Sequence, residues 1–231
     1  MKVLITGGSN GIGLGIAKEL HNNGHELYLI GRNSERLNNI IESFSDRAAG
    51  YACDLSSPGQ IEALINKTKQ DKFVPDVIVL NAGSLGGRER SVITPSSDEL
   101  RDMIEANLIN NYKMVQGFIN EIKESSYPRI IIIGSTAGIR TDDGTLYGIS
   151  KWAVRSYAYS LRNELKKYGV GVTLINPGGT FTESRIPTDE VPVGRLLEAS
   201  DIGKMVATIL SLSHQAVVEE INIRPMLGDT Y

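Results

Sequence analysis

Cysteine is nearly absent from this 231-residue chain, which holds Cys53 alone. A single thiol excludes an intramolecular disulfide framework and a paired-cysteine metal motif, and it fits a reducing compartment. The three histidines, His21, His25 and His214, are not at metal-ligand spacing. No apolar run approaches the ~20 residues of a membrane span, and the run that starts the chain is too short for a signal peptide. We therefore expect a cytoplasmic protein with no bound metal and no membrane partner.

An excess of either charge is also lacking, because 24 Lys and Arg face 27 Asp and Glu for a formal net charge of −3. No basic block is present, so nucleic-acid binding has little electrostatic support. The length suits one large α/β domain over residues 1–231 with a substantial core, and a second independent domain would be hard to fit.

Short apolar and β-branched runs alternate with helical patterns along the chain. The runs predict seven strands, at Val3–Thr6, Glu26–Ile30, Gly50–Cys53, Val77–Leu80, Ile130–Gly134, Gly171–Ile175 and Glu220–Ile223. The predicted helices span about 12–23, 34–44, 58–70, 97–125 (broken or paired), 146–168 and 200–212. Continuously apolar strands separated by helices predict a single-domain α/β fold with a doubly wound, Rossmann-type parallel sheet. Such sheets bind ligands at the carboxyl ends of their strands.

A glycine-rich segment follows the first predicted strand and opens a helix. It reads Thr6-Gly7-Gly8-Ser9-Asn10-Gly11-Ile12-Gly13. Glycine lets the backbone turn tightly and approach a pyrophosphate, and the helix N-terminus offers free N–H groups to the anion. The alternative is an ordinary strand–helix turn rich in glycine, but its place after the first strand favours a dinucleotide site.

The glycine spacing, Thr-Gly-x-x-x-Gly-Ile-Gly, resembles that of the short-chain dehydrogenase/reductase family, and further motifs agree in the same order. They are Asp54-Leu55, similar to the family's adenine-contacting pair, then Asn81-Ala82-Gly83, Tyr147-x-x-x-Lys151, and Pro177-Gly178-Gly179-Thr180-Phe181-Thr182. The resemblance runs from residue 6 to residue 182. It implies an oxidoreductase that interconverts a carbonyl and an alcohol, with a nicotinamide dinucleotide held by these motif residues.

The residue after the second strand bears on which nicotinamide cofactor binds. A carboxylate there would bind a ribose 2′-OH and repel a 2′-phosphate. Gly31 stands at the position where the family has that acid, and Arg32 follows it. A guanidinium matches phosphate geometry, and Ser9 and Asn33 can add neutral hydrogen bonds. We therefore expect NADP(H). The alternatives are a solvated Arg32, or Glu35 serving a ribose hydroxyl of NAD(H).

Tyr147 and Lys151 lie one helical turn apart and share a helix face. A nearby ammonium favours the phenolate and is expected to lower the pKa of the tyrosine from its ordinary value near 10. The resemblance implies that Tyr147 is the general acid or base and that Lys151 also bonds the nicotinamide ribose. It assigns to Ser135 a hydrogen bond to the substrate oxygen. Thr136 is a rival for that role, and helix capping is the alternative for either.

Asn107 resembles the asparagine that kinks the family's long fourth helix, whose backbone carbonyl holds a water leading protons to the lysine. Asn110 and Asn111 lie close enough in sequence to compete for that assignment. Asparagine is unfavourable inside a helix, and a break in the helix gives a physical reason for one.

Two segments bear on the substrate. Asp142 and Asp143 precede the tyrosine and can either face the substrate or form an exposed turn. Residues 183–197, which include Arg185 and Arg195, correspond to the family's substrate lid. The lid carries few strongly apolar side chains, which favours a small or polar substrate over a bulky one.

The long helices near 97–125 and 146–168 resemble those that form the family's subunit contacts, so we expect a homodimer or homotetramer. One rival function is a nucleotide-sensing regulator without turnover, which would be expected to lose the tyrosine, lysine or serine. Another is an epimerase or dehydratase, whose different glycine spacing and longer C-terminal domain are not found here.

Overall fold

Seven parallel strands form one sheet in the computed structural model, which describes residues 1–86, 91–141, 144–183 and 191–229. Their order in the sheet is β3-β2-β1-β4-β5-β6-β7. The strands are β1 (Lys2–Thr6), β2 (Glu26–Gly31), β3 (Ala48–Ala52), β4 (Val77–Leu80), β5 (Arg129–Ile133), β6 (Gly171–Pro177) and β7 (Glu220–Ile223). The strand order reverses direction between β1 and β4. A ligand groove is therefore expected at the carboxyl ends of these two strands.

Helices cover both faces of the sheet. They are α1 (Gly11–Asn22), α2 (Ser34–Ser43), α3 (Gln60–Gln70), α4 (Ser97–Ile104), α5 (Asn110–Glu124), α6 (Leu146–Leu165) and α7 (Ala199–Leu210). A π-helical turn, Glu105–Ile109, joins α4 to α5, and short 3₁₀ turns span Ser45–Arg47, Thr136–Gly138, Lys166–Tyr168 and Val193–Arg195.

Strand β1 shows how the apolar runs build two cores, one on each face of the sheet. Leu4 points into the core that α3, α5 and α6 cover. Val3 and Ile5 point into the core that α1, α2 and α7 cover. Because successive side chains of a strand alternate between faces, an unbroken apolar run is needed where both faces are buried.

The predicted single-domain, doubly wound parallel fold is confirmed. Strands β4 and β7 have the predicted bounds, whereas β3 begins earlier, at Ala48. Helix α3 begins at Gln60, because Gly59 in front of it adopts a left-handed conformation with φ +76°. The long helix is broken, as expected, at the π-helical turn. No helix in the described residues is both long and apolar enough to span a bilayer.

Candidate active site

A groove that encloses about 600 Å³ lies at the carboxyl ends of β1 to β4. This volume is in the usual range for small-molecule and cofactor sites. Predicted cofactor residues that line it are Gly7, Ser9, Asn10, Arg32, Asn33, Asp54, Leu55, Asn81, Ala82 and Gly83. Gly11, Ile12, Gly13, Tyr147, Lys151, Pro177, Gly178, Thr180 and Thr182 are not part of this lining. Thr182 nevertheless packs directly on Gly11, where an added Cβ would be 2.9 Å from the threonine Cγ2.

The connection from β1 into α1 requires glycine at two places, one in the loop and one in the first turn of the helix, for different reasons. Gly7 has φ +67°, in the left-handed region that favours glycine. Gly13 lies so close to Gly7 that an added Cβ would be 2.1 Å from the Gly7 carbonyl oxygen. The loop is therefore folded tightly on itself, which brings its backbone to the groove wall.

The start of α1 leaves backbone donors free for an anion. Asn10 stands at the N-cap, but its side chain makes no capping hydrogen bond. Its Oδ1 is buried and has no partner in the described part of the chain. The first N–H groups of a helix have no intrahelical partners and form the positive end of its dipole. These features fit the pyrophosphate of a dinucleotide.

Thr6 fixes the ends of the two central strands to each other. Its Oγ1 accepts hydrogen bonds from the backbone N–H groups of Asn81 and Ala82, each at 2.9 Å. The Asn81 Nδ2 donates to the Thr6 carbonyl at 2.9 Å. The Asn81-Ala82-Gly83 turn is thereby held beside the glycine loop, and both segments line the groove.

Two arginines lie at the end of the groove beyond β2. Both are exposed. The sequence predicts Arg32 at this place, whereas Arg36 is not among the predicted site residues. The Asn33 Oδ1 accepts from the Arg36 N–H at 2.8 Å and so caps α2, which turns the first turn of this helix toward the groove. The Arg36 guanidinium is 3.3 Å from the exposed Glu183 carboxylate. Glu35 is not among the groove-lining residues.

Gly31 makes room for Ser9 at the same end. A Cβ at position 31 would be 2.4 Å from the Ser9 Oγ, so a carboxylate could not stand there without displacing the serine. This part of the groove therefore offers Arg32, Arg36 with its Glu183 partner, and neutral polar groups.

Lys151 is buried beneath the predicted catalytic tyrosine. Its Nζ donates to the Ile133 carbonyl at the end of β5, at 3.1 Å, and lies 5.6 Å from the centre of the Tyr147 ring. The Thr145 Oγ1 caps α6 by accepting from the Gly148 N–H at 2.9 Å, which fixes the turn that carries the tyrosine. Burial lowers the pKa of Lys151 to about 8, because an ammonium loses hydration there.

Ser135 follows β5 and begins the 3₁₀ turn Thr136–Gly138. Its Oγ accepts from the Ala137 N–H at 3.2 Å, so the serine does cap this turn. That bond uses a lone pair and leaves the hydroxyl proton to be donated elsewhere. Gly138, in the same turn, packs against Lys151, whose carbonyl oxygen would be 2.7 Å from an added Cβ. The rival Thr136 is buried.

The structure separates the three asparagines that competed in the sequence. Asn107 is fully buried in the π-helical turn. Its Oδ1 accepts a hydrogen bond from the Ser84 N–H at 2.7 Å. Its Nδ2 donates to the Ser84 carbonyl and to the Ser150 Oγ, each at 2.9 Å. Asn111 donates through Nδ2 to the Asn107 carbonyl at 2.8 Å. Asn110 instead lines the groove. Ser84 and Ser150 lie on other segments of the chain, so no local sequence pattern indicates their contacts with Asn107.

Part of the predicted substrate region lies outside the described residues, namely Asp142, Asp143 and Arg185. Arg195 is described and binds the segment after β7, because its guanidinium donates to the carbonyls of Leu227 and Gly228 at 2.7 and 2.8 Å.

The chain resembles known oxidoreductases over nearly its whole length. The sequence profile of the family described as "short chain dehydrogenase" matches residues 1–191. An uncharacterized oxidoreductase of Staphylococcus epidermidis is 33% identical over 225 residues, which are 96% of each chain. A 3-oxoacyl-[acyl-carrier-protein] reductase of Haemophilus influenzae is 32% identical over 220 residues, which cover 90% of this chain and 89% of that protein. A crystal structure of an alcohol dehydrogenase from the archaeon Thermococcus sibiricus, complexed with 5-hydroxy-NADP, superimposes with a TM-score of 0.88 at 26% identity, covering 100% of this chain and 98% of that one.

Proposed function

This chain belongs to the short-chain dehydrogenase family of oxidoreductases, and we propose that it is an NADP(H)-dependent member that interconverts a carbonyl and an alcohol on a small or polar substrate. The observation that carries the proposal is the buried ammonium of Lys151 beneath Tyr147, at the strand edge where the dinucleotide groove opens. A buried charge destabilises a fold, and such groups concentrate at functional sites.

Several residues of the groove support a dinucleotide that carries a 2′-phosphate. Arg32 can pair with the phosphate, and Arg36 can do so by exchanging its exposed Glu183 contact for it, since guanidinium groups bind phosphate oxygens in a fork. Ser9 adds a neutral hydroxyl where Gly31 leaves space for it. The uncapped start of α1 suits the pyrophosphate, and Asp54 and Leu55 stand where the base is expected. The archaeal alcohol dehydrogenase described above was crystallised with an NADP derivative, which agrees with this assignment.

The side chains at the end of β5 supply the acid–base chemistry of the proposed reaction. NADPH, when bound, would supply the hydride. Tyr147 donates its hydroxyl proton to the carbonyl oxygen in the reductive direction and takes it back in the oxidative one. Ser135 donates a hydrogen bond to the same oxygen and so orients the substrate. Lys151 stabilises the phenolate electrostatically and bonds the nicotinamide ribose.

Asn107 has a positioning role in this proposal. Asn107 bonds both Ser84, which continues the Asn81-Ala82-Gly83 turn, and Ser150 on α6. Gly83 is close to the lysine, because a Cβ added there would be 3.9 Å from the Lys151 Nζ. The asparagine therefore fixes the distance between the groove wall and the lysine. The Asn107 carbonyl accepts from the Asn111 side chain, and we place the water of the proton path at the second lone pair of this oxygen.

A panel of aldehydes, ketones and sugars tests the proposal, with NADPH or NADH consumption followed by the nicotinamide absorbance. We expect turnover of at least one small or polar carbonyl, faster with NADPH than with NADH. Binding of NADPH without turnover of any substrate class would contradict the proposal and favour a nucleotide-sensing regulator. The cytoplasmic location and the homodimeric or homotetrameric state stay predictions.

A further inference from the structure

Asn110 occupies a place in the groove that the proposed chemistry does not use. It begins α5, one turn after Asn107, and the residue is 3% exposed. It is nevertheless one of the residues that line the groove. A polar side chain that is buried in the protein and still borders the groove is placed to meet a ligand rather than solvent.

One end of the Asn110 amide has a protein partner and the other has none. Its Nδ2 donates to the Ser56 Oγ at 3.3 Å. Its Oδ1 is buried without a partner in the described part of the chain. Rotating the amide by a half-turn would leave the nitrogen without a partner instead, so a polar atom is unsatisfied in either orientation. Buried polar atoms are nearly always hydrogen-bonded, and an exception asks for an explanation such as a ligand.

The partner of Asn110 belongs to the segment where the adenine base is expected. Ser56 follows Asp54 and Leu55, and its backbone N–H donates to the Asp54 Oδ1 at 3.0 Å. Asp54, Ser56 and Asn110 therefore form one hydrogen-bonded series along this wall. The nearby Cys53 thiol is neutral at ordinary pH, because burial raises its pKa to about 11.

We propose that the free end of the Asn110 amide binds the adenine base of the dinucleotide and makes the site selective for adenine. The inference rests on the proposed function, because it requires an adenine dinucleotide in the groove. A neutral amide is complementary to a base edge rather than to a phosphate. Asparagine pairs well with adenine, accepting from the exocyclic amine and donating to the adjacent ring nitrogen. The exocyclic amine has two hydrogens, so Asp54 and Asn110 can each accept one.

Binding measurements with a base-modified cofactor test this inference without relying on turnover. The probes are NADPH and its hypoxanthine analogue, in which an oxo group replaces the exocyclic amine. Dissociation constants are measured by fluorescence titration of the reduced nicotinamide. The wild type should bind NADPH at least about tenfold more tightly than the analogue. Asn110→Leu should lose about tenfold in NADPH affinity and change the affinity for the analogue by less than about threefold.

Two further variants separate this role from a purely structural one. Asn111→Leu is the matched control, because Asn111 is buried on the same helix but bonds the Asn107 carbonyl, and it should keep the wild-type ratio of the two affinities. Ser56→Ala, at an exposed loop position, removes the partner of the amide and should lower the ratio by about threefold even if Asn110→Leu fails to fold.

The outcomes distinguish the two levels of the proposal. If the wild type binds NADPH but Asn110→Leu and Ser56→Ala keep the wild-type ratio, the role of Asn110 is refuted and the proposed function stands. If the wild type binds neither dinucleotide, both fail together.

Discussion

The buried ammonium of Lys151 should make the stability of the protein depend on pH in a defined window. Burial lowers the pKa of this lysine from 10.5 to about 8 in the folded protein. Between these two values the unfolded chain binds more protons than the folded one, so the free energy of unfolding rises with pH. At about 1.4 kcal/mol for each pKa unit, the lysine costs about 3 kcal/mol below pH 8, and this cost disappears as the pH approaches 10.5.

Lys151→Met tests this reasoning because it removes the ammonium while keeping a side chain of similar length. The free energy of unfolding is measured by urea denaturation between about pH 7 and about pH 10.5, without cofactor. Because the lysine also changes the titration of the neighbouring Tyr147, both proteins carry Tyr147→Phe, and the difference between wild type and variant at position 151 then isolates the lysine. That difference should move in favour of the wild type by about 3 kcal/mol across the window.

Lys18→Met provides the matched control, because Lys18 is exposed on α1 and has no lost hydration to recover. The difference between its free energy of unfolding and that of the wild type should stay constant with pH. If the curves for wild type and Lys151→Met also run parallel, the lysine is not desolvated, and the argument that it is retained for function rather than stability loses its basis.

Two other substitutions test the groove and its support. Asn107→Ala leaves Ser84 and Ser150 without their buried partner. The free energy of unfolding, measured by urea denaturation, should fall by about 2–4 kcal/mol. A fall below about 1 kcal/mol would contradict the hydrogen-bond network. Arg32→Ala should weaken NADPH binding by about tenfold or more but NADH by less than about threefold, as measured by fluorescence titration. Arg101→Ala, an exposed arginine of α4, is its control, and equal losses for both cofactors would refute the phosphate contact.

Much of the fold could be predicted because its signals are local. An apolar strand such as β5, with four consecutive isoleucines, predicts a sheet that is buried on both faces. That Tyr147 and Lys151 share a helix face follows from helical spacing, whereas their roles are what the family resemblance implies. The segments after the strands meet at the carboxyl ends of the strands by the rules of parallel sheets. The glycine loop was identified for the same reason, since its position after the first strand is a property of the sequence.

The remaining features depend on how elements pack in three dimensions. Arg36 reaches the groove because Asn33 caps α2 and sets the direction of its first turn. Which asparagine borders the groove was decided by the π-helical turn, since the extra residue per turn shifts the phase of every later side chain. A sequence pattern predicts that the helix breaks near Asn107 but does not fix that phase.

In the proposed function, Tyr147 transfers a proton during NADPH-dependent carbonyl reduction. Its most direct test is the turnover rate of Tyr147→Phe with a carbonyl substrate accepted by the wild type, measured together with the dissociation constant for NADPH. Tyr168→Phe, an exposed tyrosine beyond α6, serves as the control. The rate of Tyr147→Phe should fall by about 100-fold or more while the NADPH affinity stays within about threefold. A rate near that of the wild type would contradict the account.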